Sequence, residues 1–201
     1  MCADHPGVKL EDQYGCDVTN RKDVVNVLET YKPTDIICTV GINLPDGEPG
    51  TFIRNLSLQL QTNVYGPMIL LAEAMDQWVN RGQLHEYNFV AISSNSAHIA
   101  RSESAGYCAS KAALSIAIRS VARRYAQLRH VRIWGYEPGW INGTPMSDQV
   151  RMRLASQTAA HRIPSGLAVN RDQLARRIVK DVVTWDTALN GCMFRLDGGE
   201  Q

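Results

Sequence analysis

The residues best suited to chemistry are a tyrosine and a lysine four positions apart, Tyr107 and Lys111. Residues at i and i+4 lie on the same face of a helix, which brings the lysine ammonium close to the phenol. Its positive charge would lower the pKa of the phenol from the ordinary value of about 10. A phenol adjusted in this way can exchange a proton with a substrate near neutral pH. The spacing alone is weak support, so its surroundings decide what it means.

Ser94 precedes Tyr107 by thirteen residues and ends an apolar run that reads as a buried strand. In open α/β folds ligands usually bind in the crevice at the carboxyl ends of parallel strands. A hydroxyl at that point can hydrogen-bond a carbonyl oxygen and orient it. The alternative is a serine that only caps the following loop, a role that Ser93, Asn95 or Ser96 could fill equally well.

Three further features have a chemical and a structural interpretation. Asn63 lies inside a predicted helix, where asparagine is unfavourable, so it either faces solvent or holds a water or backbone group in the crevice. Lys111 taken alone is most often a solvated helix charge. The segment 138–144 follows a strand and brings its backbone near a ligand, or it is simply a turn.

The elements that must position these residues alternate between short β-branched runs and longer helical periods. This alternation predicts an α/β protein with a parallel sheet. The predicted strands cover residues 14–18, 35–40, 88–93, 131–136 and 192–196. The predicted helices cover residues 22–31, capped by Thr19 or Asn20, 56–79, stopped by Gly82, 105–128, 148–160 and 171–185. Residues 42–50, rich in proline and glycine, are predicted to form a loop.

Length and composition indicate one soluble domain over residues 1–201, with 44% hydrophobic and 20% charged residues. Five irregularly spaced cysteines fit neither a disulfide framework nor a zinc site. We therefore expect no metal, and we expect the protein to reside in a reducing compartment. The charged first twenty residues exclude a signal peptide, and the longest apolar run, near residues 68–72, is too short to span a membrane. A cytoplasmic protein is therefore predicted.

Charge is unevenly distributed along the chain. Residues 1–86 hold twelve acidic and six basic residues, and sixteen of all twenty-one basic residues are arginines. One interpretation is a ligand that carries phosphate. The other is solvated helix faces, with some attraction between subunits. Nucleic-acid binding is not expected, because the arginines are not interleaved with aromatic residues.

In their order along the chain, several segments resemble the short-chain dehydrogenase/reductase family, from about Cys16 to Gly199. Tyr107-Cys108-Ala109-Ser110-Lys111 is similar to the active-site Tyr-x-x-x-Lys of that family, with Ser94 at the usual interval. Val40-Gly41 is similar to the end of its Asn-Asn-Ala-Gly motif, although both asparagines are lost or shifted. The other matching segments are Asp17-Val18-Thr19, Thr62-Asn63-Val64-Tyr65-Gly66, residues 138–144, and Leu196-Asp197-Gly198-Gly199.

The resemblance implies a catalytic role for four residues. Tyr107 would pass the proton to the carbonyl oxygen, and Lys111 would lower its pKa and hold the nicotinamide ribose. Ser94 would orient the substrate oxygen, and Asn63 would anchor a water of the proton relay. The cofactor would be NAD or NADP, bound by Asp17, Val18, Gly41, Tyr107, Lys111, Pro138, Gly139, Ile141 and Thr144.

The chain also departs from the family. It has no Thr-Gly-x-x-x-Gly-x-Gly turn, the element that holds the cofactor pyrophosphate at a helix N-terminus. The expected fold is therefore a Rossmann-like three-layer parallel sheet without its first two strands. The edge beside strand 35–40 would be bare unless the residues before Asp17 or another subunit cover it.

Two functional hypotheses follow. The first is an NAD(P)-linked oxidoreductase that acts on a small carbonyl or alcohol. The second is a catalytically silent homologue with a structural or binding role. An N-terminal piece supplied by another polypeptide, or lost through a misassigned start, is a third possibility. A homo-oligomer, either dimer or tetramer, is expected around helices 56–79 and 105–128, whose apolar residues exceed a single stripe.

Overall fold

A computed structural model describes residues 16–81, 85–102, 104–155 and 169–196. Its four strands form one parallel sheet in chain order, which confirms the predicted α/β class. The strands are β1 (Asp35–Cys38), β2 (Tyr87–Ile92), β3 (Val131–Pro138) and β4 (Met193–Leu196). The helices are α1 (Arg21–Tyr31), α2 (Pro49–Leu60), α3 (Gly66–Arg81), α4 (Ala105–Arg124), α5 (Pro145–Ala155) and α6 (Arg171–Val183).

Helices cover both faces of the sheet. Apolar residues of α1, α3 and α4, among them Leu28, Trp78 and Ile118, form one core with β1, β2 and β3. On the opposite face, α6 packs on Trp134 and Tyr136 of β3. The sheet is therefore the middle of three layers, and the carboxyl ends of its strands share one edge.

Strand β1 is only half buried, whereas the sequence predicted a buried strand. Ile36 and Cys38 face the first core, but Ile37 on the other face is 42% exposed. The apolar cluster beneath α6 includes residues of β2, β3 and β4 but none of β1, which explains the exposure of Ile37. Among the described residues no strand pairs with the outer edge of β1. The residues expected to cover it, 1–15, lie outside the described part.

The predicted strand at residues 14–18 is wrong in its described part, because residues 16–18 lead into a turn. The Asp17 carboxylate accepts hydrogen bonds from the Thr19 backbone N–H at 2.9 Å and from its hydroxyl at 2.8 Å. An aspartate that bonds the backbone two residues on favours a turn over a strand. Asn20 then caps α1 by accepting from the Lys22 N–H at 3.1 Å.

The single helix predicted over residues 56–79 is two helices joined by a π-helical turn, Gln61–Tyr65. The helix begins earlier than predicted, with Pro49 in its first turn, where proline is well tolerated. Pro67 has no N–H to donate to the carbonyl of Asn63, so the α-helical hydrogen-bond pattern cannot pass through this point. The wider π turn accommodates that break, and such turns are frequent at functional sites.

Other element ends differ from the predictions by a few residues. Strand β3 continues to Pro138 because β4 pairs with its last four residues. Helix α4 ends at Arg124 and α6 at Val183, each short of its predicted end. Gly82, residues 156–160 and residues 197–199 lie outside the described part. No helix in the described ranges is long and apolar enough to cross a membrane.

Candidate active site

Ser94 and Tyr107 meet at the carboxyl edge of the sheet. Ser94 follows β2 and accepts a hydrogen bond from the Ser96 N–H at 3.1 Å, which starts the short 3₁₀ turn Asn95–Ala97. Its side chain also lies close enough to the Tyr107 phenol, in the first turn of α4, to lower the pKa of that phenol. Both residues are 8% exposed. Ser94 is therefore a cap, as the structural alternative proposed, and also a partner of the tyrosine.

Lys111 lies one turn further along α4 and is buried, not solvated. Its Nζ is 5.8 Å from the centroid of the Tyr107 ring and donates to the Ile92 carbonyl at 3.0 Å. Burial lowers the pKa of Lys111 to about 8, and the neighbouring Cys38 side chain opposes that shift. The ammonium is thus a charge kept in a poorly solvated place close to the phenol.

The pKa of Tyr107 is shifted upward, which is opposite to the expected direction. Burial is the largest cause, and it outweighs the hydrogen bond from Ser94 and the charge of Arg101, both of which lower the pKa. The phenol therefore stays protonated at neutral pH. In this state it is suited to donate a proton rather than to accept one.

Helix α4 is fixed to β2 by a pair of buried serines that the sequence analysis did not identify. Ser93 donates to the Lys111 carbonyl at 3.0 Å, and Ser115 donates to the Ser93 hydroxyl at 2.9 Å. These bonds hold the turn that carries Lys111 against the strand that carries Ser94. The relative positions of the two residues are therefore set by buried polar contacts.

Asn63 is fully buried in the π-helical turn, and its side chain is committed to protein partners. Its Oδ1 accepts from the Ile42 N–H at 2.7 Å, while its Nδ2 donates to the Ile42 carbonyl at 2.9 Å and to Ser110 at 2.9 Å. Of the two interpretations from the sequence, it holds a backbone group and does not face solvent. The side chain therefore links the loop after β1 to the second turn of α4.

Asn63 is one of three buried amides spaced four residues apart, which we call the amide row: Asn55, Gln59 and Asn63. Gln59 accepts from the Leu44 N–H at 3.0 Å, and Asn55 donates to the Pro45 carbonyl at 2.7 Å. Residues four apart share a helix face, so the row lies alongside loop 42–46, in the opposite chain direction, and binds its backbone. The regular spacing was a signal that the sequence offered.

The loop held by the amide row ends in Asp46, which caps the helix that carries the tyrosine. Its carboxylate accepts from the Ala105 N–H at 2.8 Å and from the Gly106 N–H at 3.2 Å. The residue at the usual capping position, Ser104, makes no such side-chain bond. A negative charge at a helix N-terminus also interacts favourably with the helix dipole.

Replacing Asp46 by alanine is expected to destabilise the protein by about 1–2 kcal/mol, the usual effect of losing a charged helix cap. Asp46→Asn keeps the acceptor and should recover roughly half of the loss. Urea denaturation of both variants measures this, with Asp148→Ala, a first-turn acid of α5, as the comparison. Equal stabilities of Asp46→Ala and the unmodified protein would show that the cap contributes nothing.

Two of the predicted cofactor-binding segments lie close to this cluster. Val18 packs against Gly66, directly after the π-helical turn, where a methyl group on Gly66 would approach its Cγ2 to 2.6 Å. Asp17 precedes it in the same turn. A methyl group on Gly41 would come within 3.1 Å of the Lys111 Nζ and 3.5 Å of the Asn63 Oδ1. A glycine therefore leaves space beside the ammonium.

The remaining predicted cofactor-binding residues have structural partners. The Gly139 N–H, after Pro138, donates to the Leu196 carbonyl at 2.8 Å. Ile141 packs on the α6 side of the sheet. The Thr144 hydroxyl accepts from the Ser147 N–H at 3.1 Å and so caps α5. These contacts place the segment at the end of β3 and engage its polar groups within the protein.

Comparisons with known proteins agree with this fold. A family model described as "Enoyl-(Acyl carrier protein) reductase" matches residues 3–201. A search of curated proteins returned no match. Among solved structures, the fold is similar to aldohexose dehydrogenase from Thermoplasma acidophilum in ligand-free form, at 20% identity and a TM-score of 0.77, over 97% of this chain and 80% of that one.

Two other solved structures show the same likeness. A polyketide ketoreductase variant for actinorhodin, solved with NADPH, shares 18% identity at a TM-score of 0.78, over 92% of this chain and 75% of that one. A short-chain type dehydrogenase/reductase from Mycobacterium marinum shares 21% identity at a TM-score of 0.74, over 92% and 72% of the two chains. At these identities the likeness establishes the fold.

Proposed function

This chain belongs to the short-chain dehydrogenase/reductase family, and we propose that it is an oxidoreductase that interconverts a small carbonyl compound and its alcohol with NAD or NADP. The observation that carries the proposal is the buried contact between the Ser94 hydroxyl and the Tyr107 phenol, with the Lys111 ammonium one helical turn away. These groups supply what carbonyl reduction needs from a protein, namely a proton donor, a group that orients the oxygen, and a positive charge.

In the reducing direction, Tyr107 donates its proton to the carbonyl oxygen as that oxygen gains negative charge. Ser94 hydrogen-bonds the same oxygen and holds it in line with the phenol. Lys111 stabilises the phenolate that remains, which makes the transfer easier than the raised pKa alone would allow. When bound, the nicotinamide cofactor supplies the hydride that adds to the carbonyl carbon.

The residues around Lys111 fit the nicotinamide end of such a cofactor. An ammonium has three N–H donors, and Lys111 makes one hydrogen bond to protein among the described residues, to Ile92. The two remaining N–H groups can therefore donate to the hydroxyl groups of a ribose. Gly41 gives a ligand close access to this ammonium, because any side chain there would occupy the space.

A catalytically silent homologue is the second candidate, and specific observations favour it. The Gly139 N–H and the Thr144 hydroxyl, which the family resemblance assigned to the cofactor, bond within the protein. A protein of this kind would keep the Ser94–Tyr107 contact as part of its scaffold.

Titrating the purified chain with NADH and NADPH, and following its tryptophan fluorescence, tests the proposal. We expect saturable binding in the micromolar range for one of the two cofactors. Lys111→Met should weaken that binding, whereas Ser120→Ala, on the exposed side of the same helix, should not. Fluorescence that changes with neither cofactor would leave the silent homologue as the better description.

We also propose a homo-oligomer, dimer or tetramer, built on α2, α3 and α4. The supporting observation is a set of large apolar side chains exposed on these helices and the turn between them: Ile53 (63%), Tyr65 (62%) and Ile116 (59%). Ile69 and Leu70 of α3 do not belong to this surface, because they pack on the first core. The remaining apolar side chains favour a protein partner over water.

Replacing Ile116 by aspartate is expected to dissociate the oligomer, because it introduces a charge into the apolar contact. Sedimentation at low micromolar concentration should then show a species near the chain mass of 22.3 kDa. Val183→Asp is the matched control, since Val183 is 70% exposed on α6, outside this surface. A single 22.3 kDa species for the unmodified protein would contradict the proposal.

A further inference from the structure

A histidine and a buried glutamate meet at the same edge of the sheet as Ser94 and Tyr107. The His98 Nε2 is 2.7 Å from the Glu137 Oε2. The histidine side chain is 39% exposed, whereas the glutamate side chain is 2% exposed. The pair thus consists of a carboxylate inside the protein and an imidazole that reaches the surface.

The placement of the pair connects it to the catalytic group. His98 follows Ser94 by four residues, directly after the 3₁₀ turn that Ser94 caps. Glu137 is the next-to-last residue of β3, immediately before Pro138. Strands β2 and β3 are neighbours, and their pairing continues to the Ser93 N–H, which donates to the Tyr136 carbonyl at 2.8 Å. The pair therefore joins the carboxyl ends of the two strands that flank the site.

The bond to Glu137 determines which nitrogen of His98 can receive a hydrogen bond. An ionised carboxylate only accepts, so the Nε2 must carry the hydrogen. In the neutral imidazole the Nδ1 then keeps a lone pair and acts as an acceptor. No hydrogen bond to this Nδ1 is found within the described part of the chain. With a neutral ring, the arrangement presents an oriented acceptor four residues beyond Ser94.

Retaining this pair is costly to the fold. The Glu137 Oε1 is buried without a hydrogen-bond partner among the described residues. A buried unpaired polar atom destabilises a protein by about 1–3 kcal/mol. An apolar side chain at the end of β3 would avoid that penalty. A role in recognising a ligand explains why the position holds a carboxylate that orients an imidazole.

From this geometry we propose that His98 contacts the substrate and selects carbonyl compounds that carry a hydroxyl group close to the reacting carbonyl, with Glu137 as its positioning residue. The inference rests on the proposed oxidoreductase function and names its substrate class. A hydroxyl group donates to the Nδ1 lone pair. An ammonium group could donate as well, but the cations Arg101, in the same loop, and Lys111 disfavour a second positive charge.

The first experiment compares kcat/KM for 3-hydroxybutan-2-one and 3-methoxybutan-2-one. The two substituents withdraw electrons to a similar extent, but only the hydroxyl group can donate a hydrogen bond. The unmodified protein should prefer the hydroxy compound by about tenfold, the effect of one hydrogen bond. His98→Ala should reduce the preference to about twofold or less. His98→Asn, which retains an acceptor near the Nδ1 position, should restore part of it. An unchanged preference in His98→Ala would overturn the inference.

The second experiment needs neither turnover nor cofactor. Long-range proton–nitrogen NMR of the imidazoles, assigned with His98→Asn, should show the Nε2–H tautomer of His98. Adding 3-hydroxybutan-2-one should shift its Nδ1 resonance, while 3-methoxybutan-2-one should not. In Glu137→Gln the tautomer preference should weaken although the protein remains folded by thermal melting. Absence of the hydroxyl-dependent shift would overturn the inference even if the enzyme is active. A shift without turnover would instead contradict the proposed function alone.

Discussion

Tyr107→Phe is expected to lower kcat by about a thousandfold or more, because it removes the hydroxyl that donates the proton. The phenylalanine ring fills the same buried space, so the fold should be retained, with the free energy of unfolding changed by about 1 kcal/mol through loss of the contact between the hydroxyl and Ser94. The measurement is steady-state oxidation of the reduced nicotinamide, followed by absorbance, on a carbonyl substrate that the unmodified protein reduces.

Tyr136→Phe is the matched control for this experiment. Tyr136 is also a fully buried tyrosine, and its hydroxyl donates to the Asp181 Oδ2 at 2.6 Å on the α6 side of the sheet. Its loss should affect stability at least as much as the loss of the Tyr107 hydroxyl, but it should leave kcat within about threefold. Near-normal turnover in Tyr107→Phe would exclude this tyrosine as the proton donor.

Lys111→Met is expected to abolish turnover and at the same time stabilise the protein by up to about 3 kcal/mol at pH 7. Burial lowers the pKa of Lys111 from 10.5 to about 8, and each pKa unit corresponds to about 1.4 kcal/mol. The folded state is destabilised by this free energy, relative to the unfolded state, when the buried amine is charged. Methionine has a similar length and no charge, so it fills the space without the penalty.

The sign of this effect predicts a pH dependence. Below about pH 8 both the folded and the unfolded protein bind the proton, so the destabilisation is complete and constant. Between about pH 8 and 10.5 Lys111 keeps its proton in the unfolded chain but loses it in the folded one, so the contribution of this residue to stability rises with pH. Turnover should decline over the same interval, because the neutral amine no longer stabilises the phenolate.

Urea denaturation at several pH values between 7 and about 10 tests this prediction. The stability advantage of Lys111→Met over the unmodified protein should shrink across this range. Lys180→Met, which removes an exposed lysine from α6, should show no such pH-dependent difference. A Lys111→Met variant that is less stable than the unmodified protein at pH 7 would mean that the ammonium contributes net stability, contrary to the cause given for its lowered pKa.

The sequence predicted the parts of the site that depend on local spacing. The four-residue interval between Tyr107 and Lys111 indicated a shared helix face, and the apolar run before Ser94 indicated a strand end. The direction of the Tyr107 pKa shift could not be predicted in this way. It depends on burial by distant segments, a tertiary property that outweighs the effects of the Ser94 hydroxyl and of the Arg101 charge.

The contacts that hold the site together were missed for a related reason. Asp46 caps α4 from 59 residues away, and His98 meets Glu137 across 39 positions. No periodic pattern links such residues, because their pairing depends on the order of strands in the sheet. The amide row is different, since its four-residue spacing is visible in the sequence. Its significance emerged only once loop 42–46 was seen to lie alongside it.

The amide row and the Asp46 cap have a consequence for hydrogen exchange. The backbone amides of Ile42 and Leu44, in the loop, donate to side chains of the amide row. The backbone amides of Ala105 and Gly106, in α4, donate to the Asp46 side chain of the same loop. Detaching that loop exposes them together, so they form one cooperative opening unit with a common protection factor. The first amides of the catalytic helix therefore exchange at a rate set by a loop that precedes them by some sixty residues.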